Sequence, residues 1–247
     1  MKKHKIAKIV AGILLAGFFF LAKEETAVLK GEATEKIVVV DAGHGGMDPG
    51  VVAADGTEEK DINLSIAKKL KTQLEDLGMT VVLSREGDEG LNDLDAVNKK
   101  QQDMERRVEM MNQKEVLLTV SIHQNSYPDA SVCGPQVFYY ETSAEGKKLA
   151  ELIQQELNEG LGAVRPREAK GDGNYYLLKY GTGLMVIVEC GFLTNPEEAL
   201  LLQQEDYQEQ AAVCISSGIQ KYFGEDVQTE EAEQEKEEEK KKEKQGK

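Results

Sequence analysis

Short β-branched runs alternate with amphipathic segments along most of the chain. Ile37 to Val40 form an apolar run that ends at Asp41 and opens into Gly43-His44-Gly45-Gly46, which predicts a buried strand entering a glycine-rich turn. Leu64, Ala67, Leu70, Leu74 and Leu77 recur at helical spacing until Gly78 stops the helix. Thr80 to Ser84 reads as the next strand, and Val116 to Ile122 as another that ends at His123. Between them, Leu94 to Asn112 predicts one amphipathic helix with Val97, Met104, Val108 and Met111 on a single face. Gln136 to Tyr140 alternates as a strand, and Thr142 with Glu145 forms a capping-box pattern for a helix to about Leu157. Leu184 to Val188 is a buried strand that delivers Glu189. Asn195, Pro196 and Glu198 supply an N-cap, an N1 proline and an N3 glutamate for a further helix. A last helix covers roughly Tyr207 to Phe223. Strands alternating with helices predict one central sheet covered on both faces.

The two ends break this pattern. Lys2, Lys3, Lys5 and Lys8 precede an uncharged run from Ile9 to Ala22, the layout of an export signal. Clustered lysines at the front favour the N-terminus inside and the remainder outside. With Phe20 before Leu21-Ala22, a small-x-small cleavage site is not evident, so residues 1–23 read as an uncleaved signal anchor, with a cleaved signal peptide as the alternative. No cysteine follows to carry a lipoprotein anchor. Residues 24–35 read as a polar linker, 36–224 as the folded domain, and 225–247 as a disordered tail of Glu and Lys too polar to offset its ordering entropy.

Charge narrows the partners. The chain has 30 Lys+Arg against 45 Asp+Glu, a formal net charge of -15. Nucleic-acid binding driven by counterion release from phosphates needs the opposite balance, so no nucleic-acid partner is expected. Cys133, Cys190 and Cys214 are odd in number and contain no C-x-x-C pair, which supports neither a disulfide framework nor a thiolate metal site.

Histidine is scarce. His4 lies in the export segment, leaving His44 and His123, each close behind a strand, as is Glu189. Open α/β sheets bind ligands at the carboxyl ends of their strands. Hydrolytic zinc sites take three protein ligands, often two His and one Glu, and keep a fourth position open. Here His44 and His123 supply imidazoles, Glu59 at the entrance to the first helix can reach back as the third ligand, and Glu189 is free to act as base. Chemistry alone does not choose between Glu58 and Glu59. The glycines around His44 lack the Lys-Ser/Thr of a phosphate loop, so their role is a tight turn. Arg85, Arg106 and Arg107 read as surface or sheet-edge charges.

Four blocks carry a resemblance: Asp41-Ala-Gly-His-Gly-Gly-Met-Asp-Pro-Gly50, Glu59-Lys-Asp-Ile-Asn-Leu64, Ser121-Ile-His-Gln-Asn-Ser126 and Val188-Glu-Cys-Gly-Phe-Leu-Thr-Asn195. In this order they resemble the signature blocks of the N-acetylmuramoyl-L-alanine amidase family 3. The resemblance implies His44, Glu59 and His123 as ligands of one Zn2+ and Glu189 as the catalytic carboxylate. It favours Glu59 because the family places its ligand directly before the lysine. It also implies hydrolysis of the amide between N-acetylmuramic acid and L-alanine in peptidoglycan. Ala42, Gln124 and Cys190 depart from the usual pattern without removing a ligand or an acid–base group. Cys190 reads as a buried structural thiol facing away from Glu189.

The expected fold is a three-layer α/β domain with a twisted mixed sheet flanked by helices on both faces. The anchor, the single domain and Arg165-Pro-Arg-Glu-Ala-Lys170 before Tyr175-Tyr-Leu-Leu178 are similar to sporulation amidases, which act on spore cortex and help form muramic-δ-lactam. Arg165, Arg167 and Lys170 are candidates for the stem-peptide carboxylates. Asn125 could orient a ligand or hold its turn. A membrane contact through the N-terminal segment and a partner protein for targeting or activation are further expectations. Two rivals stand: a non-catalytic, membrane-anchored peptidoglycan-binding protein, and a zinc peptidase acting within the stem peptide.

Overall fold

The structure, a computed structural model, describes residues 36–224. The expected signal segment, linker and tail lie outside the described residues. Among the described residues no helix is long and apolar enough to cross a membrane.

The β-branched runs form a six-stranded sheet. Its strands are β1 (Ile37–Ala42), β2 (Thr80–Leu83), β3 (Val116–Asn125), β4 (Gln136–Tyr140), β5 (Lys170–Asp172) and β6 (Met185–Phe192). They lie in the order β2-β1-β3-β6-β4-β5. Only β4 and β6 pair antiparallel, so the sheet is mixed. The helices are α1 (Glu59–Asp76), α2 (Lys99–Met111), α3 (Ala144–Gly160), α4 (Tyr176–Tyr180), α5 (Pro196–Leu202) and a last helix, α6, over 205–224.

Alternation along the strands sorts side chains between two unequal layers. Val38, Val40, Leu118, Val120, Val186 and Val188 face a large core shared with Ile66 and Leu70 of α1, Leu149 and Ile153 of α3, and Ile215 and Ile219 of α6. Val39 and Ile187 face the other way, toward a smaller cluster with Met111 of α2 and Leu177 and Leu178 of α4. Two faces covered by helices make the three layers expected from the sequence.

Two boundaries differ from expectation. α2 begins at Lys99 rather than near Leu94, because the Asn98 side chain accepts the Gln101 N–H and caps it there. Leu94 and Val97 are consequently exposed, and the preceding loop is tied instead by Arg106, which bonds Leu91 O and Asp93. α3 is capped by Ser143, which accepts from Gly146 N, so Thr142 is not the cap and Glu145 does not close a box. Asn195 does cap α5, accepting from Glu197 N and Glu198 N, with Pro196 following. β5 and α4 were not expected; both are too short to show a period.

The large layer depends on one close helix contact. A Cβ on Gly218 of α6 would lie 2.6 Å from Ile153 Cα and 2.9 Å from Ile153 N in α3. Alanine favours an isolated helix by about 1 kcal/mol, whereas overpacking against backbone costs about 1–3 kcal/mol. Gly218→Ala is therefore expected to lower the melting temperature by a few degrees in thermal denaturation followed by circular dichroism. A rise would mean that α3 and α6 do not meet this closely.

Candidate metal centre

β1, β3 and β6 run parallel and end on the same edge of the sheet. The same alternation that buries Val40, Val120 and Val188 turns Asp41, Ser121 and Glu189 toward the thin α2/α4 layer. Register then pairs Asp41 with Ser121, and His123 with Glu189. His44 comes from the turn after β1, and Glu59 is the first residue of α1. Four segments distant in sequence thus meet at one place.

Glu59 stands between the imidazoles. Its Oε1 lies 3.0 Å from His123 Nδ1 and its Oε2 3.2 Å from His44 Nε2. One donor atom from each of the three residues lies within 4.8 Å of the other two. Two imidazole nitrogens and a carboxylate oxygen so disposed are a donor set that fits zinc. Glu58 points elsewhere and pairs with Lys60 at 3.1 Å, so of the two glutamates the fold brings Glu59 to the histidines. The Glu59 carboxylate is buried and also accepts Val51 N (2.8 Å), Gln124 N (3.0 Å) and Asn63 Nδ2 (3.2 Å). The remaining nitrogen of His44, Nδ1, lies 3.1 Å from Asp48, which orients the ring so that Nε2 faces Glu59.

Charge is strongly perturbed here. Burial would raise the Glu59 pKa, but hydrogen bonds from His123 and His44 hold it far below the usual carboxylate range. Burial favours neutral His123, yet the Glu59 bond and charge, with Glu189 and Asp41 nearby, push it up to about 9. Glu189 moves the opposite way from Glu59. Burial and the Glu59 charge raise it to about 7, against the pull of His123. Tyr175 Oη donates to Glu189 Oε1 at 3.4 Å. Burial raises that phenol well above its usual value, which keeps it a neutral donor. Glu189 Oε2 is buried without a hydrogen-bond partner among the described residues. An orphaned acceptor of this kind costs about 1–3 kcal/mol unless something outside the chain satisfies it.

These groups line a cavity of about 550 Å³, together with Asn125, Lys100, Tyr175 and Tyr176. Asn125 accepts Ser126 N at 2.8 Å, so it also holds its own turn. Arg165, Arg167 and Lys170 do not line this cavity. Arg165 borders a separate one, Arg167 donates to Gln136 Oε1 (2.8 Å) and stacks over Phe192, and the Lys170 ammonium lies 5.8 Å from the Phe138 ring centroid. The glycine turn is steric: a Cβ on Gly43 would overlap the His123 ring, and one on Gly50 would meet His44 Cδ2 at 2.7 Å. Cys190 sits in the large core, its thiol raised by burial, on the face away from Glu189.

Arg85 and Arg107 are not surface charges. They are 3% and 1% exposed and lie directly beneath the His44 turn. Arg107 pairs with Asp41, whose other oxygen accepts Ser121 Oγ at 2.5 Å. The available signal was positional. Arg107 follows Met104 by three and precedes Met111 by four, inside the apolar stripe, and Asp41 ends a run of buried valines. Arg106 is the most exposed of the trio, half-buried and paired with Asp93.

The chain matches a family model described as N-acetylmuramoyl-L-alanine amidase over residues 38–221. It is 38% identical over 193 residues to the germination-specific N-acetylmuramoyl-L-alanine amidase of Bacillus subtilis, covering 77% of this chain and 81% of that protein. Among solved structures it is similar to the CwlD amidase from Clostridioides difficile in complex with the GerS lipoprotein. That likeness has a TM-score of 0.74 and 39% identity over 76% of this chain and 98% of that one. An N-acetylmuramoyl-L-alanine amidase from Clostridium difficile gives a TM-score of 0.69 at 30% identity, over 78% of this chain and 98% of that one.

The raised His123 pKa makes the metal-free domain sensitive to alkali. Its contribution to stability is complete below the ordinary histidine value of 6.5 and is lost as pH rises through about 9. The raised Glu189 pKa acts in the same direction lower down, between its usual 4.5 and about 7. Calorimetry in excess chelator is therefore expected to show a melting temperature that falls steadily up to about pH 9. A flat profile above pH 6.5 would mean that Glu59 and His123 are not paired as described.

Proposed function

The chain belongs to the N-acetylmuramoyl-L-alanine amidase family, and on that premise we propose that it hydrolyses the bond between N-acetylmuramic acid and L-alanine through one Zn2+ held by His44, Glu59 and His123. The observation that carries this reading is the convergence of three ligand atoms within 4.8 Å, with Glu189 facing them across the register pair. Zinc bound there supplies Lewis acidity, polarising the scissile carbonyl and easing deprotonation of water. The rest falls to the chain. Glu189, with a pKa near 7, takes the proton of the attacking water and returns it to the leaving amine nitrogen. Tyr175 steadies that carboxylate through Oε1, leaving Oε2 open to the water. Glu59 stays ionised throughout, because its lowered pKa suits a ligand and not a base. His44 is oriented by Asp48.

The substrate reading is peptidoglycan, and the germination-specific relative supports spore cortex; a contribution to muramic-δ-lactam formation there is part of the same proposal. Asn125, Lys100 and Tyr176 are the proposed substrate contacts, since they line the cavity; Arg165, Arg167 and Lys170 lie outside it and are not included. Cortex chemistry requires export, for which the lysine-led apolar run of residues 1–23 speaks, held in the membrane or cleaved. The similar CwlD structure is a complex with a lipoprotein, which supports a partner protein for this chain as well.

Glu189→Gln is expected to lower turnover by about 10²–10⁴-fold while zinc content and the circular dichroism spectrum stay unchanged. Mass spectrometry of the digested muropeptides reads the bond cut. Peptides beginning with L-alanine and peptide-free sugars fit the amidase, whereas cleavage inside the stem would point to a peptidase. Undiminished turnover by the variant would remove Glu189 from the mechanism.

A further inference from the structure

The turn that carries His44 rests on two buried guanidiniums. Arg85 Nε donates to the carbonyls of Ala42 (3.0 Å) and His44 (2.9 Å). Its Nη2 reaches Gly43 O (3.2 Å) and Lys60 O (2.7 Å), and its Nη1 reaches Gly87 O (2.7 Å). Every hydrogen-bond partner of Arg85 among the described residues is thus a backbone carbonyl. Arg107 approaches the same turn, donating through Nη1 to Ala42 O (2.9 Å) and through Nη2 to His44 O (2.6 Å). Its own charge is met by Asp41 and by Asp103 at 2.7 Å.

Among the described residues His44 is the one non-glycine with positive φ, at 62°. Such a backbone persists only where its surroundings over-determine it. Here both guanidiniums bond the His44 carbonyl, so rotating that peptide toward a relaxed conformation breaks two charge-assisted bonds at once. The direction of the imidazole follows from this backbone. Arg85 also grips Lys60 O, one residue past Glu59, and so ties the β1 turn to the first turn of α1. A lysine can make only part of this pattern, because the planar fork is what spans several carbonyls.

We propose that Arg85 and Arg107 are positioning residues of the metal centre: they hold the strained turn so that His44 Nε2 and the Glu59 carboxylate are in place before metal binds. The inference rests on His44 and Glu59 being metal ligands. It assigns the two arginines a role in metal affinity as well as in stability.

The test uses cobalt(II) binding by the purified chain, followed by its visible absorption, with thermal denaturation alongside. Arg85→Lys and Arg107→Lys are expected to remain folded, to bind Co(II) about 10–100-fold more weakly, and to show an altered ligand-field spectrum. Gly218→Ala, destabilised far from the site, is the control and should keep wild-type affinity and spectrum. The proposal is overturned if both arginine variants bind Co(II) as the wild type does, or weaken no more than the control at equal loss of melting temperature. Should both fail to fold, Asp103→Asn, which loosens only the partly exposed end of the network, carries the test; weaker Co(II) binding supports the proposal and unchanged binding overturns it. Failure of the wild type to bind Co(II), or normal binding by His44→Ala, would instead sink the metal-centre reading itself.

Discussion

The site is organised by one buried carboxylate. Glu59 spans two imidazoles, one from the turn after β1 and one from β3, with one oxygen to each, and it also accepts from backbone and Asn63 donors. A carboxylate taken so far from water is costly unless fully paired. Its pairing in turn dictates where β1, β3 and the start of α1 must stand. Gly43 and Gly50 follow from this constraint, since a side chain at either would occupy space that the His123 ring or Glu59 and His44 need.

The sheet's asymmetry gives this polar cluster room. One face carries the large apolar core and three long helices, which supply most of the burial. Among the described residues the other is covered by α2 and the short α4, and toward the strand ends its apolar contacts give way to Asp41, Ser121, His123 and Glu189. Hydrophobic burial on one side thus supports unfavourable electrostatics on the other. The two buried glutamates illustrate the result. Glu59, between imidazoles, is held ionised, while Glu189, with only a long bond from Tyr175 and an open oxygen, is raised toward neutrality. Environments that push two carboxylates apart in this way suit them to different tasks, ligand and proton carrier.

The buried arginines belong to the same economy of charge. Arg107 is matched by Asp41 and Asp103, but Arg85 is compensated by carbonyl dipoles turned toward it by the left-handed turn. Burial and the Arg107 charge both act to lower the Arg85 pKa, with Asp41 opposing. A cation in that position is stable only while the carbonyls keep facing it, and the carbonyls keep facing it only while the cation is there. Turn and guanidinium are therefore one unit.

Much of this could be read before folding was considered. Apolar period identified β1, β2, β3, β4, β6 and α1, because each buries a repeating face and its side chains must alternate at two or at 3.6 residues. Scarcity identified the chemistry: with His44 and His123 the available histidines of the domain, each behind a strand, the metal reading had few alternatives. Caps were harder, since Thr142 and Ser143 are adjacent hydroxyl acceptors and the path of the chain chose Ser143. Long-range pairing was out of reach. Arg85 and Arg107 look like ordinary surface charges, because what buries them is an aspartate 66 residues away and a set of backbone carbonyls that carry no side-chain signature. Conversely, Arg165, Arg167 and Lys170 look like an anion site by composition, but none of them lines the cavity. Residue type and local period thus determined the elements and the ligand types. Register, burial and the direction of carbonyls, which depend on segments far apart in sequence, were decided only when the sheet brought those segments together.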